Sequence, residues 1–110
     1  MKLYGAIILS ILPAVLGYGE KCDYYDGTKY GTVSGICGSP AECLGDAFGY
    51  TVNNQCPGGS DNKCCITKTC KANGKSGYCT TVSNCNSNEF LGGHHVANKC
   101  PGPDNVQCCY

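Results

Sequence analysis

The chain has 110 residues, with eight lysines, no arginine and eight acidic residues, so its formal net charge is zero. Nucleic-acid binding is disfavoured, because it calls for a concentrated basic patch or stripe, and none is present here. The exceptional residue is cysteine: twelve are present, a density that in a short chain is typical of secreted proteins stabilised by disulfides.

The beginning of the chain has the three parts of a secretory signal peptide. Lys2 makes a basic start, residues 3–12 are almost wholly apolar, and small residues follow at Ala14 and Gly17. We expect cleavage after Gly17, with Gly19 as the alternative. A membrane anchor is the competing interpretation, but the apolar run is shorter than the ~20 residues that a bilayer-spanning helix needs. The mature protein is therefore predicted to be extracellular, without a membrane span.

The cysteines form two copies of one pattern, which predicts a signal peptide (1–17) and two tandem homologous modules (18–66 and 67–110). In both copies five residues separate the second and third cysteines, and seven separate the fourth from a closing Cys-Cys pair. The copies also share Gly-x-Cys, a phenylalanine after the third cysteine, and Val-x-Asn-x-Cys-Pro-Gly. Agreement at so many positions indicates an internal duplication. The predicted disulfide cysteines are Cys22, Cys37, Cys43, Cys56, Cys64, Cys65, Cys70, Cys79, Cys85, Cys100, Cys108 and Cys109.

Disulfides are expected to supply most of the stability of each copy, because about 45 residues cannot bury a self-sufficient hydrophobic core. Six cysteines allow many pairings. Adjacent Cys64 and Cys65 are not expected to bond each other, since the small ring would be strained; they should project to opposite sides of a strand. A zinc protein is the competing interpretation, but no C-x2-C pair is present.

The segments between the cysteines predict a small disulfide-rich fold, mainly β, with short antiparallel strands and much loop. Asp26-Gly27 and Asn73-Gly74 are dipeptides that favour tight hairpin turns. A helical turn is predicted to start near Ser39. Val-x-Asn-x-Cys looks like a short strand, Cys-Pro-Gly a stiff turn, and each closing Cys-Cys pair is placed on the last strand of its copy.

Catalysis is not expected. Glu42 and Asp46 are the nearest pair of carboxylates that could act as acid and base in glycoside hydrolysis, but Asn84 and Asn88 stand at these positions in the second copy. There is no G-x-S-x-G motif, and cysteines bound in disulfides offer no nucleophilic thiol. The histidine pair at 94–95 is expected to be a solvated loop rather than a metal site, so neither a metal nor a cofactor is predicted.

The tyrosines are the candidate ligand contacts. Aromatic rings on a rigid scaffold can stack on sugar rings, and phenol hydroxyls can bond sugar hydroxyls. The alternative is that these rings only cover the disulfides. Phe48 and Phe90 are instead expected to be core residues, because both copies have them. The candidate ligand-binding residues are Tyr24, Tyr25, Tyr30, Tyr50 and Tyr78.

From Gly77-Tyr78-Cys79 to Cys108-Cys109 the chain resembles a cysteine-rich module of secreted fungal proteins, with a G-x-C-x5-C start and a C-P-G-x4-5-C-C end. The resemblance covers residues 20–110. That module often occurs in tandem, beside domains that attack bacterial cell walls, such as muramidases and peptidoglycan endopeptidases. The resemblance therefore implies a non-catalytic, wall-binding role, with a cell-wall polysaccharide or peptidoglycan as the partner.

The cysteine spacing is also similar to that of the arthropod clip domain, which has a G-x-C-x5-C segment and a final double cysteine. Clip domains pair the first cysteine with the fifth, the second with the fourth and the third with the sixth. This likeness implies the pairs Cys22–Cys64, Cys37–Cys56, Cys43–Cys65, Cys70–Cys108, Cys79–Cys100 and Cys85–Cys109.

We therefore expect a secreted, non-enzymatic protein that recognises a cell-wall glycan or peptidoglycan. One alternative is a small secreted effector or antimicrobial protein that acts on a host or microbial surface protein. A second alternative is a protease inhibitor that presents a rigid loop, such as residues 92–98. Neither nucleic acid nor a membrane span belongs to any of these expectations.

Overall fold

The computed structural model describes residues 18–110, so the predicted signal peptide lies outside the described residues. The described part is mainly β, as predicted, with two four-stranded antiparallel sheets and three short helices. One sheet lies in each half of the described chain, here called the N-terminal half (residues 18–66) and the C-terminal half (residues 67–110). Within residues 18–110 no helix is long and apolar enough to cross a membrane.

The first sheet lies in the N-terminal half and has four strands, with two short helices in the connections between them. Its elements in chain order are β1 (Lys21–Tyr25), α1 (Gly27–Tyr30), β2 (Thr32–Gly38), α2 (Pro40–Gly45), β3 (Tyr50–Val52) and β4 (Lys63–Ile66). The spatial order is β1-β2-β4-β3. The two central strands are in register with Cys37 opposite Cys64.

The second sheet, in the C-terminal half, repeats this arrangement. Its elements are β5 (Thr69–Ala72), β6 (Lys75–Thr81), α3 (Val82–Ser87), β7 (His95–Val96) and β8 (Val106–Cys109). The spatial order is β5-β6-β8-β7, and Cys79 lies opposite Cys108 on the central strands. The equivalent cysteines of the two halves therefore occupy equivalent places in their sheets.

Six disulfides hold these elements together, and every cysteine in residues 18–110 is bonded. Cys64 and Cys65, adjacent on β4, bond in opposite directions, one to β1 and the other to α2, because neighbouring residues of a strand point to opposite faces. The pairing agrees with the one that the clip-domain likeness implies. The bonds are Cys22–Cys64, Cys37–Cys56, Cys43–Cys65, Cys70–Cys108, Cys79–Cys100 and Cys85–Cys109.

The two predicted turn dipeptides form different connections. Asn73 and Gly74 both have positive φ, 53° and 79°, and make the tight two-residue hairpin that was predicted between β5 and β6. The prediction for Asp26-Gly27 was wrong, because β1 and β2 are joined through helix α1 instead. Their pairing ends at Tyr25 and Thr32, with six residues between them, so a longer connection joins the strand ends.

Helices α2 and α3 begin at equivalent capping residues, which confirms the helical turn predicted near Ser39. The Ser39 hydroxyl accepts a hydrogen bond from the backbone N–H of Glu42, and Thr81 does the same for Asn84. Pro40 occupies the first turn, where its missing N–H costs nothing. Each helix thereby starts directly at the end of a central strand.

The strand predicted for Val-x-Asn-x-Cys is shorter than expected and lies earlier in the chain. Strands β3 and β7 end at Val52 and Val96. Asn54 and Asn98 follow in the left-handed region, each with a φ of 65°. Asparagine tolerates this conformation better than most residues, which explains why both copies have it before the Cys-Pro-Gly turn.

The shared Gly-x-Cys motif reflects close packing of the central strands. A Cβ atom added to Gly35 would lie 2.3 Å from the carbonyl oxygen of Cys65, and one added to Gly77 would lie 2.2 Å from that of Cys109. A real side chain cannot approach backbone so closely. Glycine at both positions is therefore required by the geometry of the sheet.

A single core runs through both halves. Tyr50 and Ile66 from the N-terminal half pack in one cluster with Ala72 and Val106 from the C-terminal half, together with the buried cystines. Gly102 lies against the Tyr50 ring, since a Cβ there would be 3.1 Å from a ring carbon. Folding of the two halves is therefore expected to be coupled.

The prediction that both phenylalanines lie in the core was wrong. Phe90 is 74% exposed, and Phe48 is half-buried with its ring 5.2 Å from the Tyr78 ring, where the halves meet. Cystines fill the centre of each half instead: Cys64, Cys79 and Cys108 are completely buried.

Side chains of the C-terminal half donate several hydrogen bonds across the boundary between the halves. Thr80 donates its hydroxyl to the carbonyl of Gly49 at 2.6 Å. The Asn84 amide donates to the carbonyl of Leu44 at 2.8 Å, and Asn88 donates to the same end of α2 at 3.3 Å. In this contact the C-terminal half supplies side-chain donors and the N-terminal half supplies backbone acceptors. Elsewhere along the boundary, the backbone N–H of Gly102 donates to the Asp26 carboxylate, and Lys29 donates to the carbonyl of Asn98.

Replacing Gly35 with alanine is expected to lower the free energy of unfolding by at least about 2 kcal/mol, because the new methyl group overlaps backbone that the disulfides hold in place. Chemical denaturation under non-reducing conditions measures this. Gly59→Ala is the matched control, since a Cβ there meets nothing within 4 Å. Equal effects of the two substitutions would contradict the packing argument.

Replacing Thr80 with valine should destabilise the protein by about 1–3 kcal/mol, because the Gly49 carbonyl loses its donor while it stays buried. Valine keeps the shape of threonine, so lost packing contributes little. Thr69→Val, at an exposed position of β5, should change the unfolding free energy by less than about 0.5 kcal/mol. A Thr80→Val protein as stable as the Thr69→Val control would argue against this bond.

Candidate functional site

The five candidate tyrosines do not form one surface. Tyr25, at 68% exposed, is the most accessible of them. Tyr78 is 41% exposed and contacts Phe48 where the halves meet. Tyr30 packs against the core and lines a cleft of about 400 Å³ between the halves.

Tyr50 is a core residue, which removes it from the candidate ligand contacts. Only 1% of it is exposed, and its hydroxyl lies 2.6 Å from that of Tyr24. It lies opposite Ile66 on the neighbouring strand, and both residues pack against the C-terminal half. Tyr50 is buried because it lies at the boundary between the halves, in one cluster with Ala72 and Val106.

Burial dominates the electrostatics of the Tyr24–Tyr50 pair. It raises the pKa of the Tyr50 phenol far above its usual range, and the hydrogen bond to Tyr24 raises it further. The pKa of Tyr24 is also raised, mainly by burial and to a smaller extent by the charge of Asp26, although the bond to Tyr50 opposes the change. Both phenols are therefore neutral structural groups at physiological pH.

The best candidate for a binding surface is the side of β1 and β2 that points away from the core, here called the open face. Alternation along the strands places every second side chain on this side. The Ser34 hydroxyl donates a hydrogen bond to Asp23 across the strand pair at 2.7 Å. The open face consists of Lys21, Asp23, Tyr25, Thr32, Ser34 and Ile36.

A groove of about 590 Å³ lies between the open face and helix α2. Ile36 is 48% exposed and forms part of its apolar lining. Gly38 lies beside Ile36 and keeps the groove wide, because no side chain projects from it. The groove thus continues the open face from a flat sheet surface into a concave one.

Glu42 and Asp46 are the negatively charged residues of the groove. They are four residues apart at α2 and its C-cap, and residues at this spacing lie on the same side of a helix. Both line the groove, together with Lys21 and Ser39. Ionised carboxylates only accept hydrogen bonds, so this wall of the groove suits ligands that present hydroxyl or amino groups.

Sequence reasoning identified part of this surface. Tyr25 was a candidate contact, and the carboxylates were considered only as a catalytic pair. Ile36 was missed. It is the apolar middle residue of the shared Gly-x-Cys motif and occupies the position of Tyr78 in the second copy, which could have identified it as a candidate. Alternation along a strand ending at Cys37 would have placed Ile36 opposite the core.

The histidine pair makes contacts within its own half. The His94 ring stacks on that of Tyr110, with centroids 5.5 Å apart. Nδ1 of His95 lies 2.8 Å from the Gln107 side-chain oxygen. Both histidines are exposed and lie in the C-terminal half, apart from the open face.

The buried Tyr50 phenol is expected to make the free energy of unfolding fall above about pH 10, by up to about 1.4 kcal/mol per pH unit. The reason is that burial raises the pKa of Tyr50 in the folded protein, so the unfolded state releases this proton first. Tyr50→Phe should remove part of the fall. Denaturant titrations between pH 8 and pH 11 measure it, with Tyr25→Phe as the control that retains it; identical slopes for the two variants would refute this origin.

The open face and the groove combine one exposed aromatic ring, one aliphatic side chain, hydroxyl groups and carboxylates on a scaffold held by disulfides. Such a surface can stack on a ring and accept hydrogen bonds from hydroxyl or amino groups. In comparisons with protein-family models, curated proteins and solved structures, nothing matches this chain.

Proposed function

We propose that the chain is a secreted, non-catalytic binding protein, built of two tandem copies of one disulfide-bonded module, which recognises a cell-wall glycan or peptidoglycan through the open face. The observation that carries this proposal is the position of Tyr25, 68% exposed on the same side of the sheet as a groove lined with carboxylates. Tyr24 and Tyr30 pack against the core, and Tyr50 lies within it.

The chemistry of the open face suits a sugar polymer. A sugar ring offers an apolar face that stacks on an aromatic ring, and hydroxyl groups around its edge that need acceptors. Tyr25 supplies the ring, while Asp23, Glu42 and Asp46 supply carboxylate oxygens. The flat part of the face and the groove form one continuous surface, as a polymer of linked rings requires.

The disulfides support action outside the cell. Twelve cysteines in six bonds are stable in an oxidising compartment and are rare in the reducing cytosol. A scaffold that derives its stability from covalent bonds keeps its binding surface rigid, which lowers the entropy lost on binding.

Sedimentation with insoluble polymers tests the proposed function directly. The purified, oxidised protein is incubated separately with chitin, β-glucan and peptidoglycan, and the bound and free fractions are measured as a function of protein concentration. Saturable binding to at least one polymer is expected. Absence from all three pellets would reject the proposal and favour an effector that acts on a surface protein.

Tyr25→Ala should weaken binding to the retained polymer by about tenfold, because it removes the exposed ring on which a sugar would stack. The matched control is Phe90→Ala, which removes an equally exposed ring from the other half and should leave the affinity unchanged. Both proteins are first compared by thermal unfolding. Equal affinities of the two variants would show that the open face is not the binding surface.

A further inference from the structure

The groove occupies the position in the N-terminal half that the C-terminal half uses to contact its neighbour. Equivalent residues of the halves are 42 positions apart between the second and third cysteines. Tyr78 and Thr80, which contact the N-terminal half, therefore correspond to Ile36 and Gly38 in the groove. The groove is thus the counterpart of a surface that already makes a contact within residues 18–110.

Among residues 18–110, the opposite end of the molecule is exposed as well. In the N-terminal half, the end that receives the contact consists of Phe48 and the backbone carbonyls at positions 44, 45 and 49. Its counterpart in the C-terminal half has Phe90, which is 74% exposed. A contact between two unlike surfaces leaves one surface of each kind unoccupied, and such contacts can propagate from chain to chain.

At the positions equivalent to those that make this contact, the groove has side chains of the wrong hydrogen-bonding character. Asn84 and Asn88 donate hydrogen bonds to carbonyl oxygens of the N-terminal half, whereas Glu42 and Asp46 stand in their places and, when ionised, only accept. In a second copy docked in the same way, these carboxylates would face carbonyl oxygens. Gly38 also lacks the hydroxyl that Thr80 donates.

We infer that the groove is a docking surface for the Phe90 end of a second copy of this chain, and that Glu42 and Asp46 keep it closed to that copy at neutral pH. The contact that joins the halves supplies the geometry, and the two carboxylates supply the repulsion. The protein consequently stays monomeric although both surfaces of a head-to-tail contact are exposed. This inference does not depend on glycan binding.

The test introduces into the groove the hydrogen-bond donors that the equivalent surface of the C-terminal half has. The double variant Glu42→Asn, Asp46→Asn is expected to self-associate at neutral pH, with a dissociation constant at least about tenfold lower than that of the unaltered protein. Sedimentation velocity over a range of concentrations measures this. Addition of Gly38→Thr, which restores the third donor, should strengthen the association further.

Two controls separate this contact from nonspecific aggregation. Glu20→Gln with Asp61→Asn removes two negative charges from exposed positions outside the groove and should leave the protein monomeric. Phe90→Ala, added to the Glu42→Asn, Asp46→Asn protein, should restore the monomer, because it removes the ring that would pack on Ile36.

The inference is overturned by any of three results. The first is that the triple variant remains monomeric at the highest concentration reached. The second is that the charge control associates as strongly as the groove variant. The third is that Phe90→Ala leaves the association of the groove variant unchanged. Circular dichroism and thermal unfolding under non-reducing conditions confirm for each protein that the fold is retained before its mass is measured.

Discussion

The whole structure depends on two adjacent cysteines that bond in opposite directions. Cys64 and Cys65 lie on the strand β4, so that one reaches the first strand and the other reaches helix α2. The same construction recurs at Cys108 and Cys109. Because a strand alternates its side chains, this pair fixes a sheet on one side and a helix on the other without a large apolar core. The open face and the groove beside α2 exist because the helix is held there.

The local features of this scaffold could be predicted because they follow from residue chemistry over short distances. The Asn73-Gly74 hairpin, the start of α2 and the two last strands follow from turn propensity, capping and cysteine spacing. The disulfide pairing followed from a likeness in spacing to the clip domain, and it matches the structure. These features repeat in both halves because their causes lie within each half.

The contacts between the halves could not be predicted in this way. Tyr50 was a candidate ligand contact, yet it is buried against the neighbouring half. Phe90 looked like a core residue because both copies have a phenylalanine there, yet it is exposed, since no neighbouring half within residues 18–110 covers it. A repeated residue has two environments here, one at the boundary between the halves and one at a free end. The sequence of a single copy does not determine which of these two environments a residue has.

The position of Tyr50 and Ile66 has a consequence for how this protein could be divided. The boundary of the sequence repeat, between residues 66 and 67, passes directly through the shared core. An N-terminal fragment cut there would expose the Tyr50 ring and the Ile66 side chain. The C-terminal fragment would lose the carbonyl groups that accept hydrogen bonds from Thr80 and Asn84. The repeated sequence unit therefore does not contain the whole core, and a fusion protein that carried one copy alone would have its disulfides without the packing contacts of the other half.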